Sequence, residues 1–348
     1  MFKPHIREMK EYKPPLEGRT SKEYLLLDFN ERTIPVSSKI KRAIIDFVKS
    51  DKVQMYPSYG NLTERLAQYA GVQKQQVMIT NGSDQGIDII IRALCREKDE
   101  IIIPKPSFAM YWQCAFVENL TIVEPPYTKE RGFPTEEVLN AINTKTRLII
   151  IPNPNNPTGT SVSVDDIVNI AQNAPHTALL VDECYFEYTK LTVKDYIEQY
   201  KNIFITRTFS KTWGLPSVRL GYILTTQDNI RQLLKVRGPY DMNMFAVTAV
   251  HAALDDPSYM QEYVEEILHQ SKPVLEKFLL SKGVDFWPSN ANFIFTLPQN
   301  QETVYKKLEQ YDILVRPRND AQGNSGLRIT IGTLKQTERL IKVLEQVL

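Results

Sequence analysis

Between residues 77 and 225, short apolar runs rich in β-branched residues alternate with stretches of helical periodicity. VMIT at 77–80, EIIIP from 100, LTIVEP from 120, RLIIIP from 147, TALLVD from 177, NIFITRT from 202 and LGYILT from 220 give seven candidate strands. Several are nearly continuous in apolar residues, which predicts strands covered on both faces. Helical spacing at 84–95 and 164–173 supplies the cover. The centre of the chain is therefore expected to be a wound α/β sheet.

After about Thr225 the pattern lengthens into helical stretches at 228–236, 246–254 and 258–282. Strand-like NFIFTL, ILVR and LRITIG follow, with helical patterns between and after them, which predicts a small α+β lobe. The expected division is an N-terminal arm, 1–30, joining the small domain; a large domain, 31–245; and a small C-terminal domain, 246–348. The Pro-rich arm is too short to fold alone and either joins the small lobe or reaches onto a partner subunit.

Composition narrows the function. In 348 residues, 42 Lys and Arg face 41 Asp and Glu, and the signs alternate along the chain, so neither nucleic acid nor a membrane surface is expected as a partner. No apolar stretch approaches the ~18 residues of a spanning helix, and MFKPHIREMKEYKPPLEGR has charges and prolines where a secretion leader needs an apolar run. A cytoplasmic protein is expected. Cys95, Cys114 and Cys184 form no CxxC pair, and His5, His176, His251 and His269 have no metal-ligand spacing, so metal catalysis is not expected. Walker, GxGxxG and GxSxG sequences are absent.

Ligands of open α/β sheets bind beyond the carboxyl ends of the strands. There the chain is polar in a particular way. Asn81-Gly82-Ser83-Asp84 follows VMIT and opens a helix, where free N–H groups and a hydroxyl can hold phosphate. NPNNPTG follows RLIIIP and presents Asn156, whose amide can hydrogen-bond a flat polar ligand. Asp182 ends a buried strand, where a carboxylate needs a cation. Lys211, after NIFITRT, can form a Schiff base with an aldehyde, and Arg219 can fork a phosphate. Singly, these are equally a helix cap, a tight turn or a solvated lysine. Together they outline one ligand: phosphate for Ser83, Thr208, Ser210 and Arg219, a protonated ring nitrogen for Asp182 and an aldehyde for Lys211. That ligand is pyridoxal 5′-phosphate.

NPNNPTG, DECY and SKTWGLPSVRLGY resemble the cofactor motifs of the class I/II, fold type I aminotransferases, over nearly the whole chain. Within them, NGSDQGIDIIIRALC, PSFAMY, RTFSK, PYDMN, SNANFIF, ILVRPR and LRITIGT are most similar to the histidinol-phosphate aminotransferase group. The resemblance implies a seven-stranded, mostly parallel sheet in a large cofactor-binding domain, with a smaller α+β domain. It makes Lys211, Asp182 and Tyr185 the catalytic group, with Tyr185 and Asn156 on the cofactor's ring oxygen, Phe108 on its face and Asp84 binding phosphate through its backbone. Tyr56 would reach the cofactor phosphate of the neighbouring subunit, which implies a homodimer. Arg328 would grip the substrate's anionic group with Arg316 beside it, and Asn30 and Tyr12 would lie near the substrate. The implied reaction is transamination of histidinol phosphate, in histidine biosynthesis, with 2-oxoglutarate/glutamate as the second pair. Aromatic amino-acid transamination and a threonine-phosphate decarboxylase-like reaction are the alternatives. One departure stands out: where the family commonly has an NENP-like stretch, this chain has Asn30-Glu31-Arg32-Thr33. Arg32 brings a charge near the expected substrate, or else it is a surface arginine.

Overall fold

The structure is a computed structural model and describes residues 1–19 and 21–348. All seven candidate runs form strands of one sheet. Its order is Val77–Thr80, Gly221–Leu224, Ile203–Thr208, Ala178–Asp182, Thr146–Pro152, Glu100–Ile102, Thr121–Val123. Gly221–Leu224 runs antiparallel to both neighbours, and the other pairs are parallel. The apolar runs are explained by what covers them. Along Thr146–Pro152, Ile149 and Ile151 enter one buried cluster while Leu148 and Ile150 enter another on the opposite face. Leu179 and Val181 alternate with Leu180 in the same way. Full burial of each such side chain contributes about 1.5–3 kcal/mol, and both faces contribute here.

A third cluster belongs to a four-stranded antiparallel sheet ordered Arg316–Asn319, Ser325–Thr330, Phe293–Leu297, Asp285–Trp287, and to helices Gln301–Gln310 and Leu334–Leu344. Leu25–Leu26 of the arm pairs in parallel with Ile313–Leu314. The arm's first helix, Pro4–Glu8, lies instead against Met110–Val117 of the larger layer, with His5 Nε2 3.2 Å from the Val117 carbonyl. The expected division at 245/246 falls inside helix Met244–Leu254. That helix packs on Ser38–Lys49, and its Ala246, Val247 and Val250 share a cluster with the seven-stranded sheet. Packing changes from one cluster to the other within Ser258–Glu266, between Met260 and Tyr263. Loss of strand-like runs after Thr225 marked a change of element type, and the larger core continues past it. Among the described residues, no helix is long and apolar enough to cross a membrane.

Candidate active site

The carboxyl ends of Thr146–Pro152, Ala178–Asp182 and Ile203–Thr208 converge on one cavity. Ten of the eleven expected cofactor residues line it, and Tyr56 does not. Asp182 is 2% exposed at its strand end. Its Oδ2 accepts from Tyr111 Oη at 2.6 Å and its Oδ1 from Thr206 Oγ1 at 2.8 Å. Burial pushes its carboxyl up to about 6, against the two donors, which favour the ionised form. Both donors are neutral, and among the described residues no cation pairs with the acid. Tyr111 and Thr206 were not singled out in the sequence, although PSFAMY and NIFITRT contain them.

Lys211 faces the same cavity, with Nζ donating to the Phe29 carbonyl at 3.0 Å. Burial lowers its pKa and the nearby Arg328 charge lowers it further, so neutral amine is more available than in a solvated lysine. Tyr185 Oη accepts from Asn30 Nδ2 at 2.9 Å, and its ring meets Phe293 edge-on. Burial holds this phenol protonated. Asn30 is fully buried at φ +55°, a left-handed conformation that asparagine tolerates. Thr330 Oγ1 accepts its N–H at 3.0 Å.

At the other end of the cavity, Thr208 Oγ1 donates to Ser210 Oγ at 3.0 Å, and Arg219 Nη1 reaches the same oxygen at 3.2 Å. Arg219 Nη2 pairs with Asp84 at 2.9 Å. Asp84, in the first turn of Gly82–Leu94 and lining the cavity, thus presents its side chain to the arginine. Gly82 has φ +73°, a conformation that favours glycine, and a Cβ there would stand 2.5 Å from Arg219 Nη2 and displace the guanidinium. Asn81 occupies the cap position of Gly82–Leu94 without capping it by its side chain, and neither Ser83 nor Asp84 is the cap. The donor set fits pyridoxal 5′-phosphate: hydroxyls, a guanidinium and a helix N-terminus for phosphate, an unpaired buried acid for a ring cation, and a buried amine for an aldehyde.

Phe108 lines the cavity, with Tyr111 5.7 Å away and perpendicular to it. Asn156 accepts from Arg328 Nη1 at 2.6 Å, which ties the cavity to the smaller sheet. Arg328 is 4% exposed; its Nη2 donates to the Asp28 carbonyl and, among the described residues, its Nε has no partner. Arg316 is the cross-strand neighbour of Arg328 and stacks over Phe29. Tyr12 lies close to Arg316 and Arg318. Tyr56 is 78% exposed and stacks on Tyr240 with ring centres 4.6 Å apart. Arg32 is not the surface residue that one reading of its position expected. It lies over the rings of Tyr259 and Tyr263 and donates to the Tyr259 carbonyl at 3.1 Å and the Thr212 carbonyl at 3.5 Å.

The fold and this site define the class: the chain belongs to the class I and II aminotransferases, whose family model ("Aminotransferase class I and II") matches residues 22–344. A histidinol-phosphate aminotransferase of Geobacillus sp. (strain WCH70) is 34% identical, over 100% of this chain and 98% of its own. One from Caldanaerobacter subterraneus subsp. tengcongensis is 30% identical over 92% of each. Among solved structures, histidinol-phosphate aminotransferase from Sinorhizobium meliloti in complex with pyridoxal-5′-phosphate superposes with a TM-score of 0.89, covering 100% of this chain and 98% of that one at 22% identity.

Proposed function

We propose that this enzyme transfers the amino group of histidinol phosphate to 2-oxoglutarate, giving glutamate, as a step of histidine biosynthesis. Pyridoxal 5′-phosphate is the cofactor. The observation that carries the reading is the convergence of Lys211, cation-free Asp182 and the Thr208–Ser210–Arg219 hydroxyl and guanidinium cluster on one cavity. Full-length relatives named for that substrate support its choice.

When bound, the cofactor supplies an aldehyde that condenses with amines and a protonated ring that withdraws electrons from the substrate's α-carbon. Asp182 would hold the ring N–H, supplying the negative charge that keeps the ring protonated. Tyr185 and Asn156 orient the ring oxygen, and Phe108 covers the ring face. Ser83, Thr208, Ser210, Arg219 and the Asp84 N–H hold the phosphate. Lys211, released as an amine, takes the proton from the substrate α-carbon. Arg328 and Arg316 hold the substrate's anionic group, with Asn30 and Tyr12 nearby. The enzyme works as a cytoplasmic homodimer in which Tyr56 completes the partner's phosphate site. Exposed Val53, Met55 and Tyr56 along one segment, with exposed Tyr240 against the Tyr56 ring, support an apolar interface there.

The test is addition of histidinol phosphate, glutamate, phenylalanine and phosphothreonine, singly, to the cofactor-loaded enzyme without an oxo acid. Histidinol phosphate and glutamate are expected to move the visible absorbance into the near ultraviolet, each yielding one equivalent of oxo product per site. Carbon dioxide release from phosphothreonine, or response to phenylalanine in place of histidinol phosphate, overturns the substrate assignment.

A further inference from the structure

Strand Arg316–Asn319 places Arg316 and Arg318 on one face, since residues two apart in a strand point the same way. Both are partly buried, whereas Pro317 and Asn319 between and after them are exposed. Arg328 on the adjoining strand is the direct partner of Arg316, and Arg318 is opposite Gly326, which offers no side chain. Three guanidinium groups thus share one face of the smaller sheet. Like charges so placed repel, and burial adds to the cost.

Among the described residues, none of the three is ion-paired with an acid. Asp28 and Glu31, the carboxylates of the neighbouring segment, are both held by Arg19, at 2.8 and 2.6 Å. Asp320, next along the strand, turns into its own hairpin: Oδ1 accepts the N–H groups of Gln322 and Asn324, and Oδ2 accepts from Asn324 Nδ2 at 2.7 Å. The other titratable groups close by include Tyr12, Lys211 beside Arg328, and Tyr185 and Tyr305, whose phenols burial pushes up so that neither supplies a negative charge near pH 7. Four guanidinium groups, Arg19, Arg316, Arg318 and Arg328, therefore face two carboxylates, leaving two positive charges unbalanced. The buried, partnerless Arg328 Nε marks donor capacity left over at the same place. A carboxylate would balance one charge. A phosphate monoester, at −1.5 to −2 near pH 7, would balance both and offers three acceptor oxygens.

We infer that Arg318 is a third cation of the substrate's anion site, acting with Arg316 and Arg328, and that it gives the enzyme its preference for a phosphate monoester over a carboxylate. This rests on the substrate proposed above. The phosphate arm of histidinol phosphate leaves the α-carbon where glutamate has its α-carboxylate. That carboxylate carries one negative charge against the phosphate's roughly −1.5 to −2, so loss of Arg318 should weigh less on glutamate and separate the two half-reactions.

The experiment compares wild type, Arg318→Gln and Arg318→Lys in steady-state kinetics with histidinol phosphate, unphosphorylated histidinol and glutamate. Loss of one charge-assisted contact in Arg318→Gln is expected to raise the KM for histidinol phosphate about 10-fold or more. The kcat should change far less, and the KM for glutamate by under about threefold. Arg318→Lys, which keeps the charge without the fork, is expected to fall between. An unchanged KM in Arg318→Gln, with wild type active on histidinol phosphate, overturns the role of Arg318 and leaves the proposed function standing. Equal losses with all three amines mean that Arg318 only supports the sheet, and also overturn it. A wild type that does not prefer histidinol phosphate to histidinol overturns both readings.

Discussion

Lys211 Nζ donates to the carbonyl of Phe29, and the carbonyl one residue earlier, that of Asp28, accepts from Arg328 Nη2. Two successive peptide groups of the arm thus satisfy both the amine proposed to move the proton and the guanidinium proposed to hold the substrate. The segment is fixed from outside, where Arg19 forks Asp28 and stacks over Phe29. Lys211→Ala removes the amine and leaves that scaffold in place. Turnover is expected to fall by at least about 10²–10⁴-fold, since the α-carbon loses its base. Unfolding temperature should hold or rise slightly, because a buried amine costs free energy. Full activity in the variant would remove Lys211 from the chemistry.

Cofactor affinity should depend on the ionisation of Asp182. Burial pushes this carboxyl up to about 6, and only the ionised form can hold a ring N–H. Affinity is therefore full above about 6 and declines as pH falls through that value. The same shift has a stability sign: between the unfolded value near 3.8 and about 6 the native apoenzyme holds a proton that the unfolded chain has lost. That contribution is present below the unfolded value and is lost as pH rises through about 6. Titration of apoenzyme with pyridoxal phosphate across about pH 5–8 checks the first effect. Asp182→Asn should bind more weakly and without this limb. A limb of equal size in both proteins would assign it to another group.

Immediately behind the acid lies a buried ion pair. Glu183 is 1% exposed and Arg207 2%, and Arg207 Nε donates to Glu183 at 2.9 Å while its guanidinium covers the Phe186 ring. Glu183 also accepts the Val193 N–H at 3.1 Å, so the pair fixes the loop after Ala178–Asp182. Removing one partner strands the other's charge. Glu183→Ala is expected to lose about 3–5 kcal/mol in urea unfolding, because an unpaired buried guanidinium remains. A loss below about 1 kcal/mol would mean that water or a shifted side chain relieves Arg207.

Legibility followed the physics of each element. The seven strands could be read because two covered faces demand unbroken apolar runs, and Asp182, Lys211 and Asn156 stood out because polar groups directly after such runs need a reason. Tyr111 was harder to see, since Met110–Val117 is apolar on nearly every side and a tyrosine there reads as core. Thr206 was hidden likewise, as a hydroxyl inside a strand looks like ordinary β-propensity. The carbonyl contacts of Asp28 and Phe29 left no trace, because backbone acceptors carry no side-chain signature. Helix Met244–Leu254 was set beyond the expected boundary because its periodicity records burial without recording which core receives it.

Tyr111 and Thr206 together set where Asp182 titrates, and their separate weights can be measured. Burial raises the acid, and each donated hydrogen bond stabilises the carboxylate and lowers it. Tyr111 keeps its proton throughout, because burial raises its own pKa well above the phenol value. Deleting either donor removes a bond to a charged group, about 1.5–3 kcal/mol, or roughly one to two pH units. The acid limb of cofactor binding should therefore move upward in Tyr111→Phe, and in Thr206→Val, where a methyl group replaces the hydroxyl at similar volume. The larger movement is expected from Tyr111→Phe, whose bond is the shorter, 2.6 against 2.8 Å. Both substitutions leave Lys211 and the phosphate cluster untouched, so affinity well above the limb should change little. If the limb stays in place in Tyr111→Phe while affinity falls evenly at all pH, the tyrosine merely packs under the acid, and burial alone determines its titration.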